Sequence, residues 1–443
     1  MFDIFALSTA FGGFVWVLFF FVLALSIIVA VHEYGHYIVG RWCGIHAEVF
    51  SIGFGTVLIS RMDKHGTKWQ FAALPFGGYV RFKGDENAVG QIDPGSTSSK
   101  DSSELRRTMH GAPIWARAAT AFAGPAFNFI LSIIVFCCLF MWQGQYSENL
   151  LIAKLAPVPG QSDLKIGDEI IAVNKTAVAN FESFFLVGQD LNSPVIYTVK
   201  RNGNTLEALG PVPFPALVGQ VSPRSAAFEA GILAGDVITH ISGAPIRDFG
   251  DLQQAVAAAE DDSMSFTVWR QGVEFDVTLK SKAVAVPGPD GSFTNRRLVG
   301  ISSAMFFEPG TLPLPFITAL KAATARTWFI IKISLSGLSE MVLGKISACN
   351  LSGPVAIAET AGQVATQGTI PFLALIAGLS TAVGLMNLFP IPVLDGGHLI
   401  MCAYEFVTGR KPRERTLQLI MSAGLFFILS LTVFTVVMNM LCP

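Results

Sequence analysis

From Ile4 to Val31 the chain carries no charged side chain, and this run ends in His32-Glu33-Tyr34-Gly35-His36. An apolar stretch of that length spans a bilayer as a helix, because a backbone surrounded by lipid must satisfy its own hydrogen bonds. The two histidines and the glutamate are therefore placed at membrane depth, where ionisable groups are costly and point to function. On a helix of 3.6 residues per turn, His32 and His36 lie one turn apart on one face, so both imidazoles can reach a single Zn2+. Glu33 stands about 100° further round. It stays out of the coordination shell and can take a proton from a water whose pKa the metal lowers towards about 7. The plain alternative is an interfacial helix end that presents the three side chains to lipid headgroups.

Composition fits a membrane protein with substantial soluble parts: 51% of residues are hydrophobic and 14% charged, against about a quarter charged in soluble domains. Stretches of the roughly 20 residues needed to span occur at Phe14 to Val39, Ile114 to Trp142, Ile370 to Ile391 and Leu417 to Met438. The first is not a signal peptide, because it lacks a basic n-region and a small-residue cleavage site and its apolar run is too long. A formal net charge of −2 and the lack of a basic, aromatic-rich patch exclude nucleic acid as a partner. Cys43, Cys137, Cys138, Cys349, Cys402 and Cys442 fall mainly in or beside spans, and none makes a CxxC pair or a disulfide framework. Arg and Lys concentrate at Arg41 to Arg107 and at Arg410 to Arg415. By the positive-inside rule those segments are cytoplasmic, both termini and residues 143 to about 369 lie outside, and His32 to His36 sit near the cytoplasmic face.

The outer region repeats itself. Lys165-Ile166-Gly167-Asp168-Glu169-Ile170-Ile171 lies over Leu233-Ala234-Gly235-Asp236-Val237-Ile238-Thr239, and Tyr197 to Gly203 over Phe266 to Gly272. Ser222-Pro223-Arg224-Ser225-Ala226-Ala227, with Ala230-Gly231-Ile232 and Gly235-Asp236-Val237-Ile238, resembles a PDZ domain of the bacterial protease type. That resemblance implies that a peptide or C-terminal tail adds as a strand beside a helix. The first copy lacks the Ala-Gly step, and a folded spacer without a ligand is the alternative for both copies. Between the first two spans, Ala47 to Ile52, Thr56 to Ser60, Lys68 to Ala73 and Tyr79 to Lys83 alternate as strands with glycines at the bends. A small sheet there would lie against the motif helix, where an unpaired edge could hold a substrate extended; a structural hairpin is the alternative. Asp85 to Glu104, rich in Ser, Gly and acidic residues, reads as a flexible loop.

A catalytic zinc needs a third protein ligand. Position 42 is Trp42 and position 39 is Val39, which excludes the metzincin pattern. Asp395 is the better candidate. It ends a stretch without charge from Glu359 onward and follows Pro390 and Pro392, which break the helix and free backbone polar groups. A lone carboxylate at such a break calls for a cation, and by the orientation above it shares a membrane face with His36.

His32-Glu33-xx-His36 together with Asn387-xx-Pro390-xxxx-Asp395-Gly396 is similar to the paired motifs of the site-2 protease family of intramembrane zinc metalloproteases. The tandem PDZ region and Leu351-Ser352-Gly353-Pro354 resemble its Gram-negative branch, the regulator of sigma-E proteases. The resemblance covers essentially the whole chain. It implies one zinc held by His32, His36 and Asp395, with Glu33 as general base and Asn387 holding substrate or the developing oxyanion. Gly124 and Asn128 match the family's Gly-xxx-Asn element and are expected with it on the substrate-binding side of the site, with helix packing as the alternative. Gly77-Gly78-Tyr79 matches its substrate-contacting sheet edge. His398 is not a family ligand.

The fold expected is an α-helical membrane protein with four transmembrane helices, a small membrane-associated β-sheet and two inserted β-rich PDZ domains. Its parts are residues 1–40 (first span), 41–113 (sheet and loop), 114–142 (second span), 143–214 and 215–305 (PDZ domains), 306–369 (amphipathic helical region), 370–404 (third span) and 405–443 (fourth span). The expected activity is cleavage of the transmembrane segment of single-span proteins in a bacterial inner membrane, by implication an anti-sigma factor after a first periplasmic cut. Clearance of remnant signal peptides by the same site, and a membrane-anchored PDZ adaptor with a non-catalytic zinc, are the other readings.

Overall fold

The computed structural model describes residues 12–84, 102–147, 149–188, 191, 194–259, 263–287, 293–346, 353–411 and 413–441. Four helices are long and apolar enough to cross a membrane: Gly13–Trp42, Ile114–Gln143, Thr369–Asn387 and Arg415–Met438. They stand where the four apolar stretches lie. The chain divides into two compact units, residues 1–139 with 317–443, and residues 140–316.

In the first unit, helix α1 (Gly12–Trp42) is followed by strands β1 (Ala47–Met62) and β2 (Lys68–Phe82), then by α2 (Ile114–Gln143). The later helices are α3 (Phe316–Val342), α4 (Pro354–Thr366), α5 (Thr369–Asn387), α6 (Asp395–Thr408) and α7 (Glu414–Leu441). Small residues set the helix contacts, since without a hydrophobic drive between apolar helices close backbone approach must supply packing. A Cβ on Gly35 would lie 2.6 Å from the carbonyl oxygen of Ala123 on α2, and one on Gly362 of α4 would lie 2.5 Å from Val17 of α1. Trp16 Nε1 donates to the Gly362 carbonyl at 3.1 Å and seals that contact over a core of Ala24, Ile28, Ala365, Phe372 and Ile376. Between α2 and α5 runs a buried hydroxyl seam. Ser132 Oγ and Thr381 Oγ1 stand 2.5 Å apart, and Ser380 Oγ donates to the Asn128 carbonyl at 2.9 Å.

Helix α5 stops at Asn387 and α6 starts at Asp395, so the expected third span (370–404) is two helices joined by a break that carries Pro390 and Pro392. Gly396 and Gly397 permit the tight re-entry: a Cβ on either would stand 2.2 to 2.4 Å from the backbone of Phe389 or Pro392. Gly424 of α7 packs on Pro392, which holds the break from the other side.

The four strand segments read from the sequence form two long bent strands. Ala47 to Ile52 pairs with Gly78 to Phe82 on one side and with Lys68 to Phe71 on the other, while Val57 to Met62 pairs with Lys68 to Ala72. The 78–82 segment is thus an edge. At the β1–β2 turn, Asp63 Oδ1 accepts from the N–H groups of His65 (2.7 Å) and Thr67 (2.9 Å). Its Oδ2 accepts from Tyr37 of α1 (2.9 Å) and Trp69 Nε1 (3.2 Å). Partial burial pushes this carboxyl's pKa up, but the four donors overcome that and hold it at about 2. Because the folded-state pKa lies below the ordinary value of about 3.9, the turn's stabilisation is complete above that value and fades as pH falls through about 2. Asp63→Ala should lower the protection of the 64–69 amides against hydrogen exchange at pH 7, while protection in 170–210 stays unchanged.

Of the expected loop 85–104, residues 85–101 lie outside the described residues, and Ser102–Leu105 forms one helical turn. The range 306–369 is not helical throughout, because it opens with two short strands that belong to the second unit.

That unit holds two stretches with a similar order of short strands around a helix. The first contains β3 (Gln145–Tyr146), β4 (Leu150–Leu155), β5 (Glu169–Val173), β6 (Thr176–Ala177), β7 (Val195–Arg201) and β8 (Asn204–Gly210). The second contains β9 (Val218–Val221), β10 (Val237–Ile241), β11 (Ala244–Pro245), β12 (Ser263–Arg270), β13 (Val273–Lys280), β14 (Lys282–Pro287), β15 (Phe293–Leu298) and β16 (Ile301–Ser303). A helix follows β6 (Phe181–Val187, capped by Asn180) and another follows β11 (Phe249–Ala258, capped by Asp248). The last strands, β17 (Phe307–Pro309) and β18 (Thr311–Leu312), return to pair with β4 and β3, and Phe306 and Phe307 fill the first module's core. The second module is inserted into the first.

The repeated Gly-Asp step has a repeated purpose. Arg201 grips buried Asp168 through Nε (2.6 Å) and Nη2 (2.7 Å), and Arg270 grips buried Asp236 at the same two distances. Each carboxylate also accepts from the N–H three residues earlier, Lys165 or Leu233, at 2.8 Å. Asn202-Gly203 and Gln271-Gly272 close the following hairpins with both residues at positive φ, the turn that matches strand twist. Asp168→Ala should destabilise the first module, because it removes the buried carboxylate that the Arg201 guanidinium and the Lys165 N–H share. The expected readout is faster hydrogen exchange in β4 to β8 with little change in β10 to β13.

Candidate active site

Helix α1 delivers His32 and His36, and the first turn of α6 delivers Asp395. His32 Nε2 and His36 Nε2 are 3.2 Å apart; Asp395 Oδ2 lies 3.1 Å from the former and Oδ1 lies 3.4 Å from the latter. Donors bound to one tetrahedral zinc at about 2.0–2.1 Å stand roughly 3.3 Å from one another, so the three side chains are spaced as zinc ligands. Among the described residues this is the group of His, Cys, Asp and Glu side chains able to share a metal. Asp395 Oδ2 is buried and, although close to His32, makes no well-aligned hydrogen bond. A carboxylate whose two oxygens each face one imidazole, one of them without a hydrogen bond, is the donor set a dication suits.

The surroundings orient these rings. His36 Nδ1 lies 2.8 Å from the Thr120 carbonyl oxygen of α2. A carbonyl can only accept, so His36 carries a proton on Nδ1, which leaves Nε2 as the nitrogen that can face a metal. His32 Nδ1 faces the amide of Asn128 at 3.2 Å, and Asn128 is fully buried. Gly124, one turn before Asn128, makes room for both rings: a Cβ there would lie 2.3 Å from His36 Nε2 and 2.7 Å from His32 Cε1. On the far side, a Cβ on Gly78 of the sheet edge would lie 3.2 Å from Glu33 Cγ. The edge strand therefore runs against the glutamate, and Ser26 Oγ, which donates to the Pro75 carbonyl at 3.2 Å, ties it to α1.

The structure thus brings His32, His36, Asp395, Gly124 and Asn128 together and sets Gly78 beside Glu33. Two other candidates stand differently. Tyr79 OH accepts from Gln70 within the sheet at 3.1 Å, and its ring stacks on Phe54 at 6.0 Å. Asn387, half-buried at the end of α5, makes no side-chain hydrogen bond among the described residues. Thr120 escaped the sequence reading because it acts through its backbone carbonyl. Gly35 carried a signal in retrospect: a glycine between the two histidines of an otherwise bulky apolar helix marks a close crossing.

Comparison with known proteins identifies the family. The pattern of Peptidase family M50 matches residues 20–431. A protein of Mesorhizobium japonicum whose name classes it with the zinc metalloproteases is 32% identical over 419 residues, covering 92% of this chain and 94% of that protein. The regulator of sigma-E protease RseP of Escherichia coli is 31% identical over 443 residues, covering 91% of this chain and 93% of its own length. The same protease of Salmonella typhimurium is 31% identical over 440 residues. With the family matched over nearly its whole length, the chain belongs to peptidase family M50 and is a zinc metalloprotease of the site-2 protease type.

Proposed function

We propose that His32, His36 and Asp395 hold the zinc, that Glu33 is the general base, and that the enzyme cuts single-span membrane proteins within their apolar segment. The observation that carries this reading is the convergence of three donors from α1 and α6 at the separations a tetrahedral ion requires, with Asp395 Oδ2 left unpartnered. The four apolar helices support a bilayer setting, as do large side chains facing outward such as Phe19 (59% exposed) and Phe426 (73%).

When bound, zinc polarises the attacking water and the scissile carbonyl. Glu33 takes the proton from that water as its oxygen bonds to the carbonyl carbon, and passes it to the amide nitrogen as the C–N bond breaks. A peptide bond inside a helix is shielded by its own hydrogen bonds, so the substrate must first be unwound. The 78–82 edge offers the backbone partners for that, with Gly78 beside Glu33 and Tyr79 next along the strand. Asn387 is assigned to the substrate carbonyl as it gains charge.

The two modules of the second unit act as PDZ domains. They test the trimmed outer end of the substrate, by size or by its new C-terminal tail. The arginine and lysine distribution supports a periplasmic setting for them and for both termini, with the active site near the cytoplasmic side of an inner membrane. A relative named as regulator of sigma-E protease suggests an anti-sigma factor, already cut once outside the membrane, as the natural substrate. Zinc measured per purified chain tests the ligand set. Asp395→Asn should lower zinc affinity by at least about 100-fold, and a full zinc complement at unchanged affinity would call for a different third ligand.

A further inference from the structure

We propose that Asn128 is the positioning residue that fixes His32 for zinc, rather than a contact to substrate. This role presupposes the zinc ligation proposed above. Asn128 is 0% exposed. Its backbone is pinned where α2 meets α5, by the Ser380 hydroxyl at 2.9 Å and by Gly384, whose missing Cβ would stand 3.1 Å from Asn128 Cβ. The side chain therefore has little freedom except to turn its terminal amide.

That amide touches His32 at Nδ1, at 3.2 Å. A His32 that gives its Nε2 lone pair to zinc carries its proton on Nδ1, so Nδ1 becomes a donor and needs an acceptor. His36 already has one in the Thr120 carbonyl. His32 has only Asn128, whose Oδ1 is buried without a partner. A half-turn about the soft terminal torsion exchanges Oδ1 and Nδ2 and places that oxygen on the Nδ1–H. One atom left without a partner and one donor left without an acceptor are then satisfied by the same contact. Backbone carbonyl for His36 and side-chain amide for His32 would set both rings with Nε2 towards the metal.

The test uses the full-length protein in detergent micelles, zinc affinity from competition with a chromophoric chelator, and the visible absorption of the Co2+-substituted protein. Asn128→Leu should weaken zinc by about 10–100-fold and alter the Co2+ band. Asn128→Asp, which keeps an acceptor and has no N–H to donate, should stay within about threefold of the parent and keep the band. Should the leucine variant fail to fold, Asn128→Ala carries the same expectation. Zinc affinity within about threefold of the parent in the leucine or alanine variant would overturn the role. If cleavage nonetheless fell, Asn128 would be a substrate contact. An aspartate variant as weak as the leucine one would overturn it equally. His32→Ala separates the two levels: if it retains zinc, the ligand set itself is wrong. If it loses zinc while Asn128→Leu does not, only the Asn128 role falls.

Discussion

Glu33→Gln should lower turnover of a single-span substrate by about 10²–10⁴-fold while leaving zinc at about one per chain. The substitution preserves shape, so the carbon beside the Gly78 edge stays where it is. It removes only the basicity that takes a proton from water. Among the described residues the side chains able to share a metal are His32, His36 and Asp395 and not Glu33, so losing its charge removes no ligand. Zinc content and rate must therefore separate. A parallel fall in both would make Glu33 a ligand or a structural group, and an unchanged rate would place the base elsewhere.

Gly124→Val should have the opposite signature, with zinc and activity lost together. A Cβ at position 124 falls 2.3 Å from His36 Nε2 and 2.6 Å from its Cε1, a clash that only movement of the imidazole can relieve. One ring is held by the Thr120 carbonyl and the other faces buried Asn128. The rings must swing out of line, and zinc affinity should drop by more than about 100-fold. Overpacking alone would cost about 1–3 kcal/mol. Gly378→Val on the neighbouring α5 controls for that, because nothing stands within 4 Å of its Cβ position and zinc binding should persist.

Much of this site was legible because the lipid setting removes alternatives. In an apolar run every charged or histidine side chain stands out, so His32, Glu33, His36 and Asp395 identified themselves. The strand segments were legible through alternation and glycine punctuation. Contacts made by backbone atoms were not. The Thr120 carbonyl and the carbonyl wall that demands Gly396 and Gly397 leave no mark on residue identity at the partner position. The return of Phe306 to Leu312 to the first module was hidden for another reason. Short strands whose partners lie some 150 residues earlier have no local period, and only Phe306 and Phe307 hinted at a core.

The central claim is that a zinc site divided between α1 and α6 performs hydrolysis inside the membrane. Its most direct measurement is mass-spectrometric mapping of the bond cut in a tagged single-span protein, with the purified enzyme in lipid vesicles. The expected cut lies within the substrate's apolar segment, towards its cytoplasmic end, and is absent with Glu33→Gln and with Asp395→Asn. A cut confined to the substrate's soluble part, or one that persists in the Glu33→Gln enzyme, would contradict the account.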